Sequence, residues 1–118
     1  MITLTRNGVN ANGTSLQGFI ESDYATLVQL FGDPDPGDGY KTQVDWAFEL
    51  YDENFGNVIV TIYDWKQGEG YVGPGGKRPE EITVWNVGEH ESKFFEKHFG
   101  TFEKDSFICF EVDHFRIE

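Results

Sequence analysis

One cysteine, one methionine and four prolines occur in 118 residues, and nine basic residues stand against 21 acidic ones. Each scarcity excludes something. A lone Cys109 cannot close an internal disulfide, so no covalent staple holds the fold and a reducing compartment suits the chain. No apolar run approaches the ~20 residues that a bilayer-spanning helix needs. Met1-Ile2-Thr3-Leu4-Thr5 has neither the charged start nor the apolar core of a secretory signal, so a cytosolic location is expected. Without an export route the sequon Asn12-Gly13-Thr14 has no use. The shortage of bases leaves a formal net charge of -12, which repels nucleic acid and anionic lipid and attracts basic partners.

Apolar material is not scarce. Acid-rich chains stay disordered when they have little apolar surface to bury, but this one is 38% hydrophobic and 16% aromatic. Its length suits one domain, 1–118, with a core of ordinary size. The charge is uneven. Residues 7–65 hold ten acids and one base, Lys41, whereas residues 66–118 hold eleven acids and seven bases. The negative field therefore belongs mainly to the first half.

Local patterns predict the elements. Ile2–Thr5 reads as a strand. Two Asn-Gly pairs, Asn7-Gly8 and Asn12-Gly13, are strong turn signals, and Thr14–Glu21 follows as a second strand closing a hairpin. Ser22 suits a helix N-cap, Tyr24, Leu27, Val28 and Phe31 recur at helical spacing, and Gly32 suits the stop. Asp33–Tyr40 is a proline-stiffened acidic loop. Val44, Trp46, Phe48 and Leu50 alternate with Asp45, Ala47, Glu49 and Tyr51, the period of a half-buried strand. Asp52–Asn57 turns the chain into a more apolar, central strand, Val58–Trp65. Lys66–Pro79 is a Gly-rich loop, Ile82–Val87 a strand, Glu91–Phe99 a helix stopped by Gly100, and Ser106–Phe115 the last strand. The fold class expected is α+β: a mostly antiparallel sheet of about five or six strands with two short helices packed on one face.

Three groups of residues carry candidate chemistry. Asp45 and Glu49 share one strand face, Asp52 and Glu53 extend the row, Asp64 lies on the returning strand, and Asp33, Asp35 and Asp38 stand at its margin. Spaced carboxylates on a stiff sheet can imitate a line of phosphates, although charged strand faces also serve solubility and prevent edge pairing. The loop acids fail the calcium-loop pattern, with Gly37 at a ligand position and Val44 where the last Glu should be, so no metal is expected. The second group is the Gly-rich loop, where Tyr71, Gly75, Gly76, Lys77 and Arg78 could grip an anion such as a nucleotide phosphate. It departs from the phosphate-loop motif, because Arg78 replaces Ser or Thr and Pro79 follows. The third group is Trp46, Trp65 and Trp85, expected in the core unless one is an exposed contact. His90, His98 and His114 lack ligand spacing, and Cys109 reads as a buried strand residue. No set of residues supplies nucleophile, base and oxyanion donor together, so no enzyme and no cofactor are expected.

Asn12-Gly13-Thr14-Ser15-Leu16-Gln17-Gly18-Phe19-Ile20, Asp38-Gly39-Tyr40-Lys41-Thr42 with Trp46, Ile62-Tyr63-Asp64-Trp65-Lys66, and Glu80-Glu81-Ile82-Thr83-x-Trp85-x-Val87-Gly88 resemble segments of small acidic phage and prophage proteins of uncharacterised activity. The resemblance implies a phage-type accessory protein in a host bacterial cytosol and assigns no functional residue. The leading expectation is a non-enzymatic inhibitor whose acidic surface occupies a basic, nucleic-acid-binding site on a host protein, without touching nucleic acid or membrane. Two alternatives remain: sequestration of a nucleotide signal by the Gly-rich loop, and a structural or regulatory role among phage proteins.

Overall fold

Alternation in the sequence becomes a layered structure in a computed structural model that describes residues 2–6, 9, 13–52, 56–89, 107–108 and 115–117. The strands are β1 (Ile2–Thr5), β2 (Ser15–Glu21), β3 (Asp35–Pro36), β4 (Val44–Asp52), β5 (Gly56–Tyr63), β6 (Val84–Glu89), β7 (Phe107–Ile108) and β8 (Phe115–Ile117). Two helices, α1 (Tyr24–Phe31) and α2 (Glu69–Val72), and a 3-10 turn at Pro79–Glu81 complete the described elements. The strand order is β7-β2-β6-β5-β4-β1-β8, with β3 also pairing β4. Five strands, β2-β6-β5-β4-β1, pair antiparallel, and only the edge strands β7 and β8 pair parallel. This is an α+β fold. No helix among the described residues is long and apolar enough to cross a membrane.

One face of the sheet makes the core. Trp46, Phe48 and Leu50 of β4 stand opposite Ile62, Val60 and Val58 of β5, and Ile62 stands opposite Val87 of β6. These side chains are buried together with Ile20, Trp85 and Ile82, and Leu27, Leu30 and Phe31 of α1 cover them. Two indoles pin α1 at its ends. Trp85 Nε1 donates to the Ser22 carbonyl just before the helix (3.0 Å), and Trp46 Nε1 donates to the Gly32 carbonyl just after it (2.8 Å). Each buried indole therefore satisfies its own N–H while orienting the helix. Arg6, at the end of β1, donates to the carbonyls of Phe31 (2.8 Å) and Asp33, placing a cation at the helix C-terminus, where the macrodipole favours one.

The structure corrects several local expectations. β1 and β2 do not form a hairpin: β1 pairs β4 and β8, whereas β2 pairs β6 and β7, on the other side of the sheet. The N-cap of α1 is Asp23, not Ser22, because the Asp23 carboxylate accepts from Thr26 N at 2.7 Å. The third sheet strand begins at Val84 rather than Ile82, since Pro79 starts a 3-10 turn whose cap residue Ile82 is buried as an anchor. Val58–Trp65 is the central strand expected, although it runs from Gly56 to Tyr63. The Lys66–Pro79 loop contains α2. Of the strand expected at Ser106–Phe115, Phe107–Ile108 pairs β2, while Phe115–Ile117 pairs β1 at the opposite edge, and residues 106 and 109–114 lie outside the described residues. The expected helix at 91–99, its stop at Gly100, Cys109 and the three histidines lie outside the described residues.

Phe48 is fully buried and stacks on Phe31 at 4.8 Å between ring centroids, with the planes 10° apart. Phe48→Ala is expected to lower unfolding free energy by about 3–5 kcal/mol, whereas Glu21→Ala on an exposed strand end should change it by less than about 0.5 kcal/mol. Urea denaturation measures both.

Candidate functional site

The polar face of the β4–β5 pair lies opposite α1. There Asp45, Ala47, Glu49 and Tyr51 stand across from Tyr63, Thr61, Ile59 and Asn57. At its loop end the face sinks into a hollow of about 260 Å³ lined by Thr14, Thr42, Asp45, Thr61, Tyr63 and Trp65. Residue 88 helps keep that space. A Cβ on Gly88 would lie 2.6 Å from the Thr61 hydroxyl and 3.6 Å from that of Thr14, so a larger residue there would push into the hollow's wall. Tyr63 and Trp65 meet edge to face at 82°, with centroids 6.0 Å apart, and form one corner.

Asp45 is the ionised group in that wall. It is half-buried, and among the described residues no hydrogen bond or ion pair reaches its carboxylate. Burial raises its pKa above the ordinary 3.8, the charges of Asp35 and Asp64 push the same way, and Arg6 partly opposes them. Asp35 is its cross-strand partner in the β3–β4 pair, a like-charge juxtaposition that costs stability. Burial likewise raises the Tyr63 phenol, against a hydrogen bond with Asn86. The hollow therefore combines an unsatisfied carboxylate, four hydroxyls and two aromatic rings, the Tyr63 phenol counting as both ring and hydroxyl.

The row of acids foreseen from the sequence is only partly a surface. Asp64 is fully buried and faces inward. One carboxylate oxygen accepts from Gln43 N (2.7 Å) and Val44 N (3.1 Å), and the other from Gln43 Nε2 (3.1 Å). Strand position alone suggested exposure. The start of β4 overrides it, because its amides need an acceptor and a buried carboxylate needs donors. Asp38 is turned on its own loop: a single oxygen accepts from the amides of Tyr40, Lys41 and Thr42 at 2.8, 2.9 and 3.1 Å. Those bonds, the one from Thr42 foremost, hold its pKa below the usual carboxylate value. Asp35 pairs with Arg6 at 3.2 Å, and Glu49 accepts from Asn57 Nδ2 at 2.9 Å. The Asp33 side chain is exposed. Asp52 ends β4, while its side chain and Glu53 lie outside the described residues. Among the described residues no cluster of three or more His, Cys, Asp or Glu side chains could hold a metal ion.

The Gly-rich segment is packed rather than open. The amides of Tyr71 and Val72 donate to Gly68 O, that of Gly76 to Gly73 O, and that of Lys77 to Gln67 O. Arg78 N donates to the Glu81 carboxylate. Amides turned inward in this way are not aimed at a phosphate. Two of the glycines answer to close approach: a Cβ on Gly70 would overlap the Gly39 carbonyl oxygen, and one on Gly76 would lie 2.5 Å from the Glu69 amide nitrogen. Gln43 ties the segment down, donating from Nε2 to Lys77 O at 2.9 Å as well as to Asp64. Tyr71, Gly75, Gly76, Lys77 and Arg78 thus belong to a folded loop cluster, with the side chains of Tyr71, Lys77 and Arg78 on its surface.

Sequence reasoning missed an aromatic and cationic cluster beside the hollow. Trp65 is 40% exposed, unlike Trp46 and Trp85, which are fully buried. Lys41 and Lys66 each stand 5.6 Å from its ring centroid, Lys66 also lies 5.3 Å from that of Tyr71, and Tyr40 packs on Tyr71 at 5.1 Å. Extending the β5 alternation by one step would have found Trp65, since residues 61, 63 and 65 share a parity opposite to buried Val58, Val60 and Ile62. No protein-family model matches the chain, and no curated protein and no solved structure matches it.

Asp64→Ala removes the shared acceptor of three donors and is expected to cost about 2–4 kcal/mol of unfolding free energy. Asp45 and Asp38 should respond to pH with opposite signs. Asp45 has a raised folded pKa, so its ionised form costs stability at neutral pH, and that cost is relieved as pH falls through the raised value toward 3.8. Wild type should therefore gain stability relative to Asp45→Asn on acidification. Asp38 has a depressed folded pKa, so its contribution is present above 3.8 and is lost as pH falls through the depressed value. Urea unfolding of wild type, Asp45→Asn and Asp38→Asn across acidic pH checks both signs.

Proposed function

We propose that the chain is a non-enzymatic binding module, a phage-type accessory inhibitor made in a bacterial cytosol, whose acidic surface captures a basic, nucleic-acid-binding host protein. The observation that carries this reading is charge left uncompensated on the outside. Glu21, Asp23, Asp33, Asp35, Glu69, Glu80 and Glu81 are exposed, and the ion pairs among the described residues are Arg6 with Asp35 and Arg78 with Glu81. Lys41 and Lys66 sit on aromatic rings instead of neutralising carboxylates. Asp33, Asp35, Asp45 and Glu49 are the contact residues retained from the acidic row. Asp64 and Asp38 leave it, because their carboxylates are used inside the fold.

A surface of this kind acts mainly through steering and register, so its association rate should fall as salt screens it. Asp35→Lys combined with Glu49→Lys should weaken binding to an arginine-rich polypeptide at least about tenfold and flatten the salt dependence, with the far-ultraviolet circular dichroism unchanged. Unchanged affinity in a folded double variant would dismiss the acidic surface as the contact. Capture from a bacterial lysate at low and high salt, with and without competing DNA, identifies the natural partner.

A further inference from the structure

We propose that the hollow beside Trp65 takes one arginine side chain of the basic partner, with Asp45 as its counter-ion; this rests on the binding reading above. The size suits a side chain. At about 260 Å³ the space falls below the ~300–1,000 Å³ of pockets for drug-sized ligands.

The lining selects the chemistry. Thr14, Thr42, Thr61 and Tyr63 bring hydroxyls, and Asp45 brings a carboxylate. A guanidinium offers five donors and no acceptor, so it matches a wall rich in oxygen. Its planar face stacks on aromatic rings, which Tyr63 and Trp65 supply at the corner. Lys41 and Lys66 stand over the Trp65 ring but do not line the hollow, so the ionised group in the wall itself is Asp45. Among the described residues no group pairs with that carboxylate, whereas Asp35, Asp38, Glu49 and Asp64 all have partners. A carboxylate half-removed from water and left unpaired is under-solvated, and an entering cation relieves that cost. Arginine is favoured over lysine because its fork can engage carboxylate and hydroxyls at once.

The test uses N-acetyl-arginine amide, with N-acetyl-citrulline amide as the uncharged isostere and N-acetyl-lysine amide as the other cation. Amide and indole resonances of the intact chain are followed by ¹H–¹⁵N correlation spectra. The arginine probe should shift the Trp65 indole and the amides of Thr42, Asp45, Thr61 and Tyr63, leaving the buried Trp46 and Trp85 indoles in place. Lysine should bind more weakly and citrulline should not shift them. Asp45→Asn should weaken the arginine response about tenfold or more, the loss expected for a hydrogen bond to a charged group. Trp65→Ala, at an exposed position, provides a second variant that keeps the fold and should also weaken it. Equal shifts from citrulline, or shifts confined to other surfaces, would overturn the inference.

An arginine-rich polypeptide separates this inference from the wider reading. If it binds wild type and Asp45→Asn equally but loses affinity for Asp35→Lys/Glu49→Lys, the acidic surface stands and the hollow does not. If the single-residue probe binds at the hollow while the polypeptide shows no salt-sensitive affinity, the hollow stands and the inhibitor reading fails.

Discussion

The buried carboxylate of Asp64 is the constraint on which the loop end of the sheet depends. It stands just past β5, yet it receives the first amides of β4 and the side chain of Gln43. Through Gln43 the same group reaches the carbonyl of Lys77. One side chain thus joins the loop entering β4, the end of the central strand and, through Gln43, the Gly-rich segment. The neighbours Tyr63 and Trp65 owe their placement to that junction, as do Thr42 and Asp45 on the opposing chain. A carboxyl acceptor suits this role because three donors compensate the loss of water.

The second organising fact is where the few bases go. Arg6 closes the end of α1 and ties it to Asp35 across the edge of the sheet. Lys41 and Lys66 rest on Trp65, and Lys66 also on Tyr71. Cations committed to carbonyls and rings leave acids elsewhere without local partners. The domain tolerates the resulting repulsion because its core is dense in aromatics: Tyr24 packs on both Trp46 and Trp85, and Phe31 stacks on Phe48. Apolar burial of this kind does not depend on charge, so core and surface are set independently.

Much of this was legible from periodicity. The inward set Val44, Trp46, Phe48, Leu50 and the helical stripe Leu27, Val28, Phe31 follow from period alone, and the antiparallel character of the sheet follows from the number and spacing of short strands. Connectivity was not legible. Two Asn-Gly pairs argued for a β1–β2 hairpin, but pairing is decided by which strand covers which apolar face, and β1 finds β4. The inward role of Asp64 was hidden for a similar reason. Its donors, Gln43 and Val44, lie some twenty residues earlier and come near only through the β4–β5 register. Glycine in the 68–76 segment advertised freedom or a phosphate cradle, whereas the structure uses Gly70 and Gly76 for contact between backbones and Gly73 and Gly75 for turns of positive φ. Composition cannot tell those uses apart.

The placement of the two edge strands has a consequence for how the molecule is made. Residues 107–108 pair with β2 and residues 115–117 pair with β1, so these two short segments finish both ends of the sheet, about ninety or more residues after the strands they pair with. Pairings so distant in sequence close large loops before they return any stabilisation, which slows folding. During synthesis the outer edges of β1 and β2 stay bare until residues 107–117 have emerged. The abundant negative charge carried by the first half then keeps neighbouring nascent chains apart during that interval. Charge on the first half thus bears on the unfinished chain as well as on the folded surface.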